Sequence, residues 1–177
     1  MSSSTQRGKK RITTLDLCVF AMLGAIMYVS KVLMEFLPNV HLLGALTIAY
    51  TLTYRSKALI PIYVYVFLNG LFTGFSTWWM PYLYIWTVLW GMTMLLPKKL
   101  PEKALFFILP CLCAFHGIIF GILYAPAQAI MFGLDFNGMI AWIIAGLGFD
   151  IVHMIGNFAV GFLILPINKL LKRISTF

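Results

Sequence analysis

The chain is 177 residues long, 62% hydrophobic, 10% charged and formally +8 at neutral pH. Soluble chains run at roughly 45–50% apolar and about 25% charged, so five acids and thirteen bases cannot cover a soluble fold of this size. A mean hydropathy of +0.94 makes lipid the solvent for most of the chain. This excludes an ordinary cytosolic enzyme and a secreted disulfide scaffold, and argues against a nucleic-acid-binding domain.

Residues 1–11 are polar and basic and read as a disordered cytoplasmic arm. They do not read as the start of a signal peptide. No small-residue cleavage pattern ends the next apolar run, and Lys31 and Glu35 fall within it. Six apolar runs follow, at 12–37, 41–55, 57–75, 80–97, 104–131 and 138–167. A helix needs about 20 residues to cross ~30 Å of hydrocarbon. The second run is short and rich in Thr and Tyr, so it reads as tilted, bent or shielded by its neighbours. The last two are long enough for tilt or an interfacial extension. A short tail, 174–177, follows the 12–173 membrane domain.

Charge placement orients the runs. Bases cluster at 7–11, 55–57, 98–103 and 169–173, whereas 38–40, 76–79 and 132–137 contain no Lys or Arg. Basic loops stay in the cytoplasm. The expectation is an all-α, polytopic protein of the plasma membrane, of bacterial type, with six transmembrane helices and both termini cytoplasmic. No P-loop, GxSxG or HExxH pattern occurs, so the chain itself is not expected to hydrolyse ATP or to be an enzyme. Cys18, Cys111 and Cys113 lie in apolar runs and read as small apolar residues, neither a disulfide framework nor a zinc site. No cofactor or metal is expected.

Ionisable groups at membrane depth cost about 2.5–3.5 kcal/mol each on insertion scales, so each needs a partner or a role. Lys31 and Glu35 are four apart near the outer end of the first helix. They read as an intramembrane ion pair or as contacts to a polar ligand. The following loop adds Asn39 and His41 at the same membrane face. Asn69 in the third span reads as interior helix glue. Four of the five tryptophans lie in 78–90. Trp78 and Trp79 fit an interfacial belt. Trp86 and Trp90, four apart and deeper, read either as core packing or as a stacking wall for a flat ring. His116 on the fifth span reads as a core histidine. Segment 132–137, with Asp135 and Asn137, reads as a lid or as a solvated turn. On the last span Asp150, His153 and Asn157 share one face by spacings of three and four. They form either a ligand wall or helix–helix glue.

The first helix carries Ala21-Met22-Leu23-Gly24-Ala25, a small-xxx-small pattern that lets another helix approach closely. With this motif, the six spans, the basic N-terminal arm and Leu37-Pro38-Asn39 after helix one, residues 12–173 resemble the substrate-binding S components of energy-coupling-factor (ECF) vitamin transporters. Their AxxxA motif is matched by Ala21 and Ala25. The resemblance implies a subunit that captures a vitamin or related micronutrient near the outer face. It implies partners too: a transmembrane coupling subunit that meets Ala21, Gly24 and Ala25, and two ATP-binding-cassette ATPases. The implied ligand contacts are Asn39, His41, Trp86, Trp90, Tyr124, Asp150, His153 and Asn157. The aromatic residues favour a ring-containing ligand. Two other classes stay open: a stand-alone ion-coupled carrier using Lys31, Glu35 and Asp150, and an intramembrane enzyme using Asp150 and His153.

Overall fold

The computed structural model describes residues 12–37, 39–97 and 99–174. The expected basic arm at 1–11, Pro38, Lys98 and the tail beyond Ile174 lie outside them. Among the described residues all regular structure is helical. Four segments are long and apolar enough to cross a membrane: Thr14–Leu33, Leu43–Thr73, Glu102–Phe132 and Phe136–Gly161. The chain is a helical membrane protein.

Helix α1 spans Thr14–Leu33 and starts on a capping box. Thr13 Oγ1 accepts from the Asp16 N–H at 3.1 Å, and Asp16 Oδ2 accepts from the Thr13 N–H at 2.9 Å. Two otherwise orphaned donors are thereby satisfied. The helix stops at Leu33, short of the expected 37, and residues 34–36 form a turn.

Helix α2 (Leu43–Tyr54) has 12 residues. At 1.5 Å per residue it is about 18 Å long, well short of a bilayer. It survives by being shielded, since nine consecutive residues from Leu43 to Thr51 are buried. Two of its three threonines bond back within the helix: Thr51 Oγ1 donates to Thr47 O at 2.7 Å and Thr53 Oγ1 to Ala49 O at 2.9 Å. Such back-bonding lets Thr51 and Thr53 sit in the packed bundle with their hydroxyls satisfied.

Arg55 reverses the chain in a left-handed conformation (φ 55°, ψ −122°). A 3₁₀ turn, Arg55–Ala58, leads into α3, Leu59–Thr73. Helices α1 and α3 pack closely at Gly24, where an added Cβ would lie 2.5 Å from Val64 Cγ1 and 2.8 Å from the Pro61 carbonyl oxygen. Helix α4 (Tyr82–Met94) runs alongside α2. Trp86 meets His41 at one end of that pair, and the Trp90 indole donates to Arg55 O at 3.1 Å at the other.

The expected fifth span is two helices, α5 (Glu102–Ile118) and α6 (Phe120–Phe132), interrupted at Ile119. The expected sixth span is also divided. Helix α7 covers Phe136–Gly161 and a separate amphipathic α8 covers Ile164–Ile174. Helices α5 and α7 form the most extensive pair in the bundle, and glycines make it close. A Cβ on Gly161 would sit 2.6 Å from Pro110 Cα, and one on Gly117 would sit 3.0 Å from the His153 carbonyl. Helix α8 buries Ile164, Asn168 and Leu171 and presents Lys169, Lys172 and Arg173 outward. It lies at the end of the bundle that carries Arg55, Lys57 and Lys99, called here the basic end.

Candidate ligand-binding site

Away from the basic end, a cavity of about 400 Å³ opens between the end of α1, the α1–α2 segment, the start of α4, the α5–α6 break and the stretch of α7 from Trp142 to His153. Each wall comes from a distinct local cause. The end of α1 supplies Lys31 and, one turn on, Glu35, paired at 2.9 Å. Lys31 is the more covered of the two (21% against 59% exposed). The segment after α1 supplies Asn39 and His41. Asn39 takes a left-handed backbone (φ 56°), and its side-chain amide lies 3.5 Å from Phe149 O. Val40 rests on Gly156 of α7, where a Cβ would approach Val40 Cγ2 to 2.9 Å.

Helix α7 supplies one face. Trp142, Gly146, Asp150 and His153 follow at intervals of four, four and three, and all line the cavity. Trp142 stacks on Tyr124 with ring centres 5.8 Å apart and planes 13° from parallel. His153 sits edge-on to both His41 and Phe120, with centroids 4.9 Å away in each case.

The break at Ile119 sets the position of Asp150. A helix start leaves backbone N–H groups without intrahelical partners, and the Gly121 N–H donates to Asp150 Oδ1 at 3.1 Å. The carboxylate from α7 therefore caps α6. Only glycine permits the approach, because a Cβ at 121 would lie 2.2 Å from Asp150 Oδ2. Helix starts also favour negative charge, so the break and the carboxylate support each other.

The expected site residues divide. Asn39, His41, Tyr124, Asp150 and His153 come together around the cavity, joined by Lys31 and Glu35. Trp86 is buried beneath, against Tyr82, His41, Phe120 and Tyr65, and does not itself line the space. Trp90 is elsewhere. One turn further along α4, its indole is engaged by the Arg55 carbonyl at the basic end. Asn157 is fully buried and donates to Cys113 O at 3.2 Å, tying α7 to α5, so it acts as helix glue. His116 is likewise internal, with Nε2 3.3 Å from Ile85 O. Segment 132–137 is a capped turn. Gly133 is left-handed, and Asp135 Oδ1 accepts from the Gly138 N–H at 2.7 Å. The small-residue motif on α1 also splits, because Gly24 faces inward onto α3 whereas Ala21 is exposed and Ala25 half-buried.

Phe120, Trp142, Gly146 and Phe149 line the cavity without having been expected as ligand contacts, and Tyr82, four residues before Trp86 on α4, lines it as well. Extending the row of Asp150 and His153 backwards by steps of four reaches Gly146 and Trp142. Beneath the cavity lie polar ring atoms with no hydrogen-bond partner among the described residues: His41 Nδ1, His153 Nε2 and Trp86 Nε1. No group of three or more His, Cys, Asp or Glu among the described residues is arranged to hold a metal ion. The size falls in the range of small-molecule pockets, roughly 300–1,000 Å³. Comparison with protein-family models, with characterised proteins and with solved structures gave no match.

Proposed function

We propose that the chain is the ligand-capture subunit of an ECF-type importer. It would cross the bacterial plasma membrane six times with both termini cytoplasmic and bind a ring-containing vitamin or related micronutrient from outside. The observation that carries this reading is the cavity. Aromatic planes from α4, α6 and α7 surround a buried carboxylate and two histidines, all at the end of the bundle opposite the basic clusters. Basic ends stay in the cytoplasm, so this cavity faces outward. The chain has no nucleotide-binding pattern, so accumulation would depend on a coupling subunit and two ATPases. The exposed Ala21 and half-buried Ala25 on α1 are where the coupling subunit would meet it.

Native mass spectrometry of protein purified gently from its own membranes tests this reading. A retained small ring compound, unaltered by the protein, is the expected result, with the ATPases co-purifying. Retention of membrane lipid alone would refute it.

One observation favours a second reading, a stand-alone ion-coupled carrier. Transporters often place an ion or substrate at a broken helix, and the α5–α6 break meets Asp150 near the cavity. Uptake into liposomes on an ion gradient, with no ATPase present, would favour the carrier. Binding without uptake would favour the capture subunit. An enzyme built on Asp150 and His153 has less support, since the carboxylate engages Gly121 and His153 Nε2 has no partner to orient it.

A further inference from the structure

The basic end holds a second cavity, of about 380 Å³, between α2, α8 and the segment joining α4 to α5. Leu52, Leu96, Leu100 and Leu105 form apolar walls, and Arg55, Asn168 and Lys172 supply the polar groups. Arg55 is held firmly. Its backbone is left-handed, its carbonyl accepts from Trp90, and its Nη2 donates to Met94 O at 3.2 Å. A residue keeps such a conformation only where its surroundings over-determine it. A guanidinium has five N–H donors, so most remain for a ligand. Asn168 is also fixed, its amide donating to Thr53 Oγ1 at 2.8 Å.

Charge balance is one-sided. The chain has five acids. Asp16 lies 4.0 Å from Lys57, and Glu102 pairs with Lys169 at 2.5 Å. Glu35, Asp135 and Asp150 belong to the other end of the bundle. Among the described residues the second cavity is therefore lined by two cations and no carboxylate. Beside it runs amphipathic α8, the kind of helix that lies at a bilayer surface.

We infer that this cavity binds the phosphate group of an anionic membrane lipid, with Arg55 and Lys172 on the phosphate and the leucines along the acyl chain. A free phosphate shares the headgroup chemistry, but the leucine walls favour the lipid. The inference needs the chain to lie in a bilayer and does not depend on what the first cavity binds.

The test is native mass spectrometry of the full chain in detergent, titrated with phosphatidylglycerol or with phosphatidylcholine. A thermal-shift series with inorganic phosphate runs in parallel. Lys172 is exposed, so Lys172→Gln does not threaten the fold. It should weaken phosphatidylglycerol retention about fivefold, and R55Q/K172Q roughly 30-fold, at about fivefold per base. Phosphatidylcholine retention should not change. If R55Q/K172Q does not fold, K172Q alone decides. Protection by inorganic phosphate that the variants lose, without selective lipid retention, would overturn the lipid and leave the phosphate site with a soluble occupant. Equal phosphatidylglycerol retention by wild type and K172Q, with no phosphate shift, would overturn the site altogether.

Discussion

Gly121→Ala isolates the contact that builds the cavity floor. A Cβ at this position would lie 2.2 Å from Asp150 Oδ2 and 3.0 Å from its carboxyl carbon. Non-bonded heavy atoms settle at roughly 3.5 Å, so the carboxylate must retreat by about 1 Å. The 3.1 Å bond from the Gly121 N–H to Asp150 Oδ1 then breaks. A hydrogen bond to a charged group contributes about 1.5–3 kcal/mol. Alanine returns about 1 kcal/mol through its helix propensity. The net expectation is a loss of about 0.5–2 kcal/mol. Gly91→Ala on α4 is the control, because its Cβ would meet nothing within 4 Å. It should show only the propensity gain. Thermal unfolding in one detergent, followed by intrinsic fluorescence, compares the two. If Gly121→Ala is as stable as Gly91→Ala, Asp150 does not cap α6 and the account of the floor is wrong.

Replacing Gly24 with Leu should separate α1 from α3 and destabilise the bundle, because the Cβ already collides with Val64 and the Pro61 backbone. Ala21→Leu with Ala25→Leu should leave thermal stability unchanged and abolish co-purification with a coupling subunit; retained co-purification would remove that surface from the proposal. Glu35→Gln should change stability by less than about 1 kcal/mol, as expected for an exposed ion pair, while lowering retention of the native ligand if the pair guards the cavity mouth. Asp135→Ala should cost about 0.5–2 kcal/mol in unfolding experiments by removing the cap of α7, and ligand retention should not change.

The helical character and the order of the apolar segments were legible because apolar runs and basic clusters alternate along the chain. The brevity and the threonines of α2 marked it as unusual, tilted, bent or shielded, and packing against its neighbours decides for shielding. The break at Ile119 was not. It falls between Ile118 and Phe120 inside a long apolar run, and the residue that supports it, Asp150, is 29 positions away from Gly121. The sixth span was read too long because Ile164, Leu165 and Ile167 continue the apolar pattern, and only the bases that follow mark α8 as amphipathic. At the site, residues on one helix row were easy to group, as Asp150 and His153 were. Depth was harder. Trp90 and Asn157 share faces with residues at or beneath the cavity but lie about one turn further along, where a carbonyl from a neighbouring element takes each of them. The split within the α1 motif is one of angle: Gly24 lies only about 60° around the helix from Ala21, and the edge of the α3 contact falls between them, covering Gly24 and leaving Ala21 exposed.

The polar side chains that line the cavity, Asp150, Asn39 and Lys31 among them, bear on selectivity. A pocket that discriminates by fit alone separates homologues differing by a methylene only about 10–200-fold. A lining group that pairs with its occupant discriminates more strongly, because an analogue lacking the matching atom leaves that group desolvated at about 1–3 kcal/mol. For anything entering between Trp142, Tyr124 and His153, the placement of heteroatoms around its ring therefore matters as well as the size of the ring, and an isosteric hydrocarbon would bind less tightly even where it fits.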